Sequence, residues 1–146
     1  MANYHYTESG LDNVWLASGF RIVAREDGGE SLIIEDIEGL HVAIGRGIVE
    51  KKKLTGPEIR FLRTELLMSQ NALARLLGVT EQTVARWEKH QVAIPTSSDA
   101  TLRQLYLEHV GEAGKISDTL RRIADIEHGA FKTFTMARED DVWEAA

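Results

Sequence analysis

The chain has 146 residues, 43% of them hydrophobic and 27% charged, with a formal net charge of −6 and no cysteine. That is an ordinary globular composition, enough for one medium domain or two small ones, and it excludes disulfides and thiolate metal sites. No apolar run approaches the roughly 18 residues that span a bilayer, and residues 1–10 lack the basic start and apolar stretch of a secretion signal, so a cytoplasmic location is expected.

The first segment alternates as strands do. Val14 and Leu16 share one face, and Phe20, Ile22 and Ala24 share another, with Ser18-Gly19 between them as a tight hairpin turn. Asp27-Gly28-Gly29 is a second turn, and Leu32-Ile33-Ile34 is the next strand. Asp36 can then cap a helix to about Glu50, with Leu40, Ile44 and Ile48 spaced four apart. Gly39, Gly45 and Gly47 weaken that helix, which implies that it depends on close packing. Lys51-Lys52-Lys53 is either a solvated linker or a phosphate-contacting arm.

Thr55-Gly56-Pro57-Glu58 is a capping box with proline in the first turn, where its missing amide costs nothing. It predicts a helix from about Pro57 to Leu67 with Ile59, Leu62 and Leu66 inward. Ser69 caps a second helix, Gln70 to Leu77, with Leu73, Ala74 and Leu77 inward. Gly78 supplies a turn, and Thr80 caps a third helix to about Lys89. After the loop at Pro95, a helix from Asp99 to about His109 carries the apolar stripe Leu102, Leu105 and Tyr106. A further helix fits Ile116 to Glu127. Phe131 to Met136 alternates like a strand, which Arg138 to Asp141 can turn towards Val142-Trp143.

The fold class is therefore α+β. An N-terminal hairpin-and-helix module occupies residues 1–53, a helical domain 54–109, and a C-terminal helix and strand 110–146. Charge follows a different division. Residues 1–50 carry three basic and nine acidic side chains, residues 51–109 nine basic and six acidic, and residues 110–146 five basic and eight acidic. A basic middle between acidic flanks is a footprint for a polyanion on one part of the chain, although random scatter on a solvated surface gives such a pattern about as often.

Two short helices joined by a glycine-containing turn form a helix-turn-helix unit. At about 100° per residue, Glu81, Gln82, Ala85, Arg86 and Lys89 fall on one side of the third helix, opposite Val84 and Trp87. Gln82 and Arg86 can read adenine and guanine edges bidentately in the major groove, and Glu81 can accept from a cytosine amine. Lys89 and Arg75 sit nearer helix ends, better placed for the DNA backbone, and His90 is close enough to touch a phosphate. Trp87 is core packing in this arrangement.

The stretch SQNALARLLGVTEQTVARWEKH, from Ser69 to His90, resembles the Xre/Cro-type helix-turn-helix over about residues 54–109. The match lies in Ser69-Gln70, Leu73-Ala74, Leu77-Gly78-Val79 and Trp87-Glu88. That resemblance implies a lambda-repressor-like helical domain and binding to double-stranded DNA. It implies that Gln70 hydrogen-bonds a phosphate or base, with Ser69 positioned beside it. It further implies that Thr80, Glu81, Gln82 and Arg86 face the groove, and that Arg63 pairs with Glu88. Residues 10–54 resemble, more weakly, the module that precedes this domain in MqsA-type antitoxins, without the zinc-binding cysteines of those proteins.

The five histidines, at 5, 41, 90, 109 and 128, have no short pairwise spacing, so no metal site and no cofactor is expected. There is no Gly-rich phosphate loop, nucleophile elbow or H-E-x-x-H, and no enzyme is expected. The expected function is a dimeric, autoregulatory transcriptional repressor on a palindromic operator, with its dimer contacts within Leu102 to Trp143. The alternative is an antitoxin whose acidic first 50 residues cover a basic toxin.

Overall fold

The computed structural model describes residues 2–111 and 133–146. They cluster into two units: the chain up to Ile44 together with Thr133–Ala146, and the chain from Gly45 onward. The helix expected at Ile116–Glu127 lies outside the described residues.

The first unit holds two sheets. Strands β1 (Tyr4–His5), β2 (Val14–Leu16), β5 (Phe134–Glu139) and β6 (Val142–Ala145) form a four-stranded sheet in the order β1-β2-β5-β6. Strands β3 (Phe20–Ala24) and β4 (Glu30–Ile34) form a separate antiparallel ribbon. The N- and C-terminal segments therefore share one sheet, because β2 runs parallel to β5 with Val14 opposite Phe134 and Leu16 opposite Met136.

Ser18-Gly19 is not the hairpin turn its sequence suggested. The Ala17 amide donates to the Met136 carbonyl at 2.7 Å and the Arg138 amide to Ser18 Oγ at 2.9 Å, so this corner is held by β5. Strand β3 then leaves for the ribbon, closed by the turn at Asp27-Gly28-Gly29, with Phe20 opposite Ile34 and Ala24 opposite Glu30. The face shared by Phe20, Ile22 and Ala24 is not a core face: Ile22 remains 47% exposed. The C-terminal strand starts at Phe134 and runs through Arg138 to Glu139, so the turn comes later, at Asp140 and Asp141, both with positive φ. Trp143 on β6 is buried, and its indole N–H donates to the Glu35 and Asp36 carbonyls at 2.9 and 3.1 Å.

Helix α1 (Ile37–Glu50) opens on Asp36, whose Oδ1 accepts from the Gly39 amide at 3.1 Å, and its Leu40, Ile44 and Ile48 are fully buried. Gly45 shows why this helix tolerates its glycines: a β-carbon there would collide with the Tyr106 ring. The missing side chain is what allows α1 and the helix bearing Tyr106 to approach.

The second unit continues with α2 (Gly56–Glu65), α3 (Gln70–Leu77), α4 (Glu81–Glu88) and α5 (Thr96–His109). Ile59, Leu62, Leu73, Ala74, Val84, Trp87, Leu102 and Tyr106 are buried, while Leu66, Leu77 and Leu105 are half-buried. Helix α2 ends before Leu67, which takes a positive φ of 58° and is 88% exposed. Helix α5 begins three residues earlier than the Asp99 start expected of it.

Lys51 is neither a solvated linker nor a phosphate arm; only Lys52 and Lys53 are exposed. Its Nζ lies 2.6 Å from Oε1 of the fully buried Glu58, which also accepts from the Thr55 amide to complete the capping box. A buried carboxylate is tolerable only when it is so satisfied. Arg103 is buried likewise. It pairs with Asp99 one turn away at 2.5 Å and donates to the carbonyl of Val49, in the last turn of α1, and to those of Lys51 and Lys52 just after it. Burial pushes the Asp99 carboxyl above the usual carboxylate range, against the pull of Arg103.

Candidate nucleic-acid interface

Helices α2, α3 and α4 build the candidate surface, and three local devices set its shape. Ser69 Oγ accepts from the Ala72 amide at 3.0 Å and so caps α3. Gly78 ends α3 at φ 70°, a left-handed conformation that costs glycine nothing, and the Val79 amide closes back onto the Ala74 carbonyl. Thr80 Oγ1 accepts from the Thr83 amide at 3.1 Å and starts α4 immediately afterwards. With no slack between these signals, α4 follows α3 directly. Its inner face is fixed by Val84 and Trp87, which are 0% and 2% exposed.

Fixing that face exposes Glu81, Gln82 and Arg86 together on the other. None of the three has a side-chain hydrogen bond or ion pair among the described residues. Lys89 at the end of α4 and Arg75 at the end of α3 are likewise exposed and unpaired. These five side chains offer two cationic forks, an ammonium, an amide and a carboxylate.

The remaining residues are held. Arg63 and Glu88 form a two-point pair, Nε to Oε2 at 2.7 Å and Nη2 to Oε1 at 3.0 Å, with side chains 13% and 5% exposed. Arg63 also donates to the Met68 carbonyl at 2.9 Å, which ties α2 to the loop leading into α3. Gln70 Nε2 donates to the same Glu88 carboxylate at 3.1 Å. The first residue of α3 is thereby locked against the last residue of α4. His90, in a left-handed conformation at φ 58°, accepts the Gly56 amide on Nε2 at 2.8 Å. Its Nε2 is thus occupied at the start of α2, and Ser69 and Thr80 are occupied as caps.

Among the described residues no group of three or more histidines, cysteines or carboxylates is placed to hold a metal ion, and no helix is long and apolar enough to cross a membrane. Two features escaped sequence reasoning. The Gln70–Glu88 bond joins residues 18 apart and depends on how α3 and α4 cross. Arg60 lines a surface depression together with Gln70 and Lys89, on the helix before the α3–turn–α4 stretch that drew attention to its neighbours.

Residues 59–100 match a helix-turn-helix family model, spanning α2 from Ile59, all of α3 and α4, and the start of α5. No curated protein and no solved structure matches the chain. The matched segment is similar to a helix-turn-helix, a motif that in DNA-binding proteins places its second helix in the major groove.

Proposed function

We propose that this chain is a sequence-specific transcription regulator that inserts α4 into the major groove of its operator. The observation that carries the proposal is the exposed, unpaired set Glu81, Gln82 and Arg86 on a helix whose opposite face is locked by Val84 and Trp87. Gln82 and Arg86 read base edges, and Glu81 accepts from a base amine. Arg75 and Lys89 contact phosphates. Ser69, Thr80 and His90 act by positioning the ends of the helices, and Gln70 is held in place by Glu88.

A two-fold dimer would place two copies of α4 about 34 Å apart on a palindrome, and light scattering of the full chain tests that state. Repression of its own promoter, inside the cytoplasm, is the regulatory role that such a dimer fits. A second function, toxin binding by the N-terminal unit, draws support from the ribbon, which keeps Ile22, Val23 and Ile33 exposed in an acidic stretch of chain. Co-purification with a small basic protein tests it.

Selection of bound duplexes from a random pool identifies the operator and its symmetry together. Against that operator, Gln82→Ala or Arg86→Ala should lose about 1–3 kcal/mol and relax one or two base positions, with random DNA bound as before. Equal losses on both duplexes would remove α4 as the reader.

A further inference from the structure

A cavity of about 330 Å³ lies within the helical unit, beside the loop that joins α4 to α5. That volume is at the small end of the range for ligand sites. Leu54, Ile59, Val92 and Ile94 give it an apolar wall. Leu54 and Ile59 are 3% and 2% exposed, whereas Val92, on the loop, is left 48% exposed.

The rest of the wall includes Lys53, Trp87, His90 and Asp99. Three donors there have no partner. Lys53 is exposed and has no hydrogen bond or ion pair among the described residues. Trp87 is 2% exposed, yet its indole N–H has no hydrogen-bond acceptor among them either. His90 supplies the third. Its Nε2 lies 2.8 Å from the Gly56 amide, which can only donate, so Nε2 accepts and carries no proton. The neutral ring then holds its proton on Nδ1, a donor without a partner among the described residues. Asp99 is already engaged, because Arg103 donates to its Oδ1 at 2.5 Å and to its Oδ2 at 3.3 Å. Lys53 therefore leaves the cavity with an uncompensated positive charge.

Such a set is complementary to a group that is negatively charged and only accepts. A carboxylate meets both conditions. A phosphate monoester would bring about two charges against a single free cation and would lose water from them beside four aliphatic side chains. We propose that this cavity binds a small monocarboxylate with an apolar body. The carboxylate meets Lys53 and the N–H groups of Trp87 and His90, while the body lies against Leu54, Ile59, Val92 and Ile94. The site goes beyond the DNA-binding function and stands independently of it.

The test is a titration of the full-length, isotope-labelled protein with phenylacetate and with isocaproate, each compared with its uncharged carboxamide and followed by NMR. Both acids should move the backbone N–H signals of Gly56 and His90 and the indole N–H of Trp87. Half-saturation should fall below about 10 mM, ordinary for ligands of about ten heavy atoms. The carboxamides should bind about tenfold more weakly, the factor that one charge-assisted hydrogen bond supplies. Lys53→Met keeps the apolar stem and should lose the acids by the same factor of about ten, whereas Lys53→Arg should retain most of the binding. Lys53 is exposed and unpaired, so both variants should melt with the wild type. No saturable shift with either acid overturns the site. Shifts that spare Gly56, Trp87 and His90 overturn it too, because the acid is then bound elsewhere. Equal affinities for acid and carboxamide, or unchanged affinity in Lys53→Met, overturn the carboxylate as the group recognised.

Discussion

The two units bring distant residues together by different means. In the sheet unit, β2 meets β5 through a backbone ladder joining positions 120 residues apart, with Val14 opposite Phe134 and Leu16 opposite Met136. In the helical unit, α2, α3 and α4 are made from contacts within a turn or two, and the long reach is left to buried charged side chains: Arg103 to the carbonyls at the end of α1, and Arg63 to Glu88. A ladder is backbone chemistry that any residue but proline can supply. A buried guanidinium is chemistry that only one side chain supplies. The helical unit should therefore be more vulnerable at single polar positions, and the sheet unit more tolerant.

Arg103→Ala is the strongest way to break that comparison. It leaves the Asp99 carboxylate buried without its partner and strips the Val49, Lys51 and Lys52 carbonyls of a donor. The expected loss is about 3–5 kcal/mol, read by urea unfolding at neutral pH. The pH dependence carries a sign. Asp99 is already pushed above its ordinary value of 3.8 by burial, and removing Arg103 takes away the pull in the other direction. With its folded value raised, the penalty of a buried charge is full above that value and fades as pH falls towards 3.8. The deficit of Arg103→Ala relative to wild type should therefore narrow in acid. A constant deficit would mean that the lost donors, and not the stranded carboxylate, dominate.

The same contrast explains what could be seen in the sequence. Thr55, Ser69, Gly78 and Thr80 each act on residues within four positions, so capping rules placed α2, α3 and α4 almost to the residue. The outward set of α4 followed from helical period alone. Nothing local in Val14-Trp15-Leu16 announces a parallel partner at the far end of the chain, and Ser18-Gly19 has the composition of a hairpin turn while serving as a corner against β5. Lys51 misled for a related reason. Three consecutive lysines look solvated, but the first meets a buried glutamate seven residues later, and only the packed fold makes that glutamate inaccessible. The resemblance to a known domain type pointed to Arg63 and Glu88, and no pattern in the residues themselves could have done so.

Met136→Ala probes the ladder side. Met136 is 2% exposed and stands on β5 opposite Leu16. Truncation removes apolar contact but no backbone hydrogen bond, and an unbranched side chain leaves a gap that neighbours partly fill. The expected cost is about 2 kcal/mol, the low end for burying one such residue less completely. Thermal unfolding by near-ultraviolet circular dichroism measures it. A loss larger than that of Arg103→Ala would reverse the ranking of the two units.

The smallest effect sharpens the comparison, because it concerns a strand element made by local rules. The β3–β4 turn follows the sequence signal Asp27-Gly28-Gly29 closely, with Asp27 Oδ1 accepting from the Gly29 amide at 2.9 Å and from Arg25 Nε at 3.2 Å. The Gly29 amide first, and Arg25 second, hold the Asp27 carboxyl below its ordinary value of 3.8. A depressed folded value means that this group supports the ribbon above pH 3.8 and ceases to do so as pH falls through the lower folded value. Asp27 is fully exposed, so salt should weaken its pairing with Arg25 further. Titration of the Asp27 carboxyl carbon by NMR should give a midpoint under 3.8, and protection of the Gly29 amide from exchange should fall over the same range. Asp27→Asn keeps an acceptor for that amide but has no charge to lose. Its Gly29 protection should accordingly be lower than wild type at neutral pH and flat through the acid range. If the Asn variant loses protection in acid just as the wild type does, the turn is held by the strands it joins. The ribbon would then belong with β2 and β5, specified by pairing and not by its own turn.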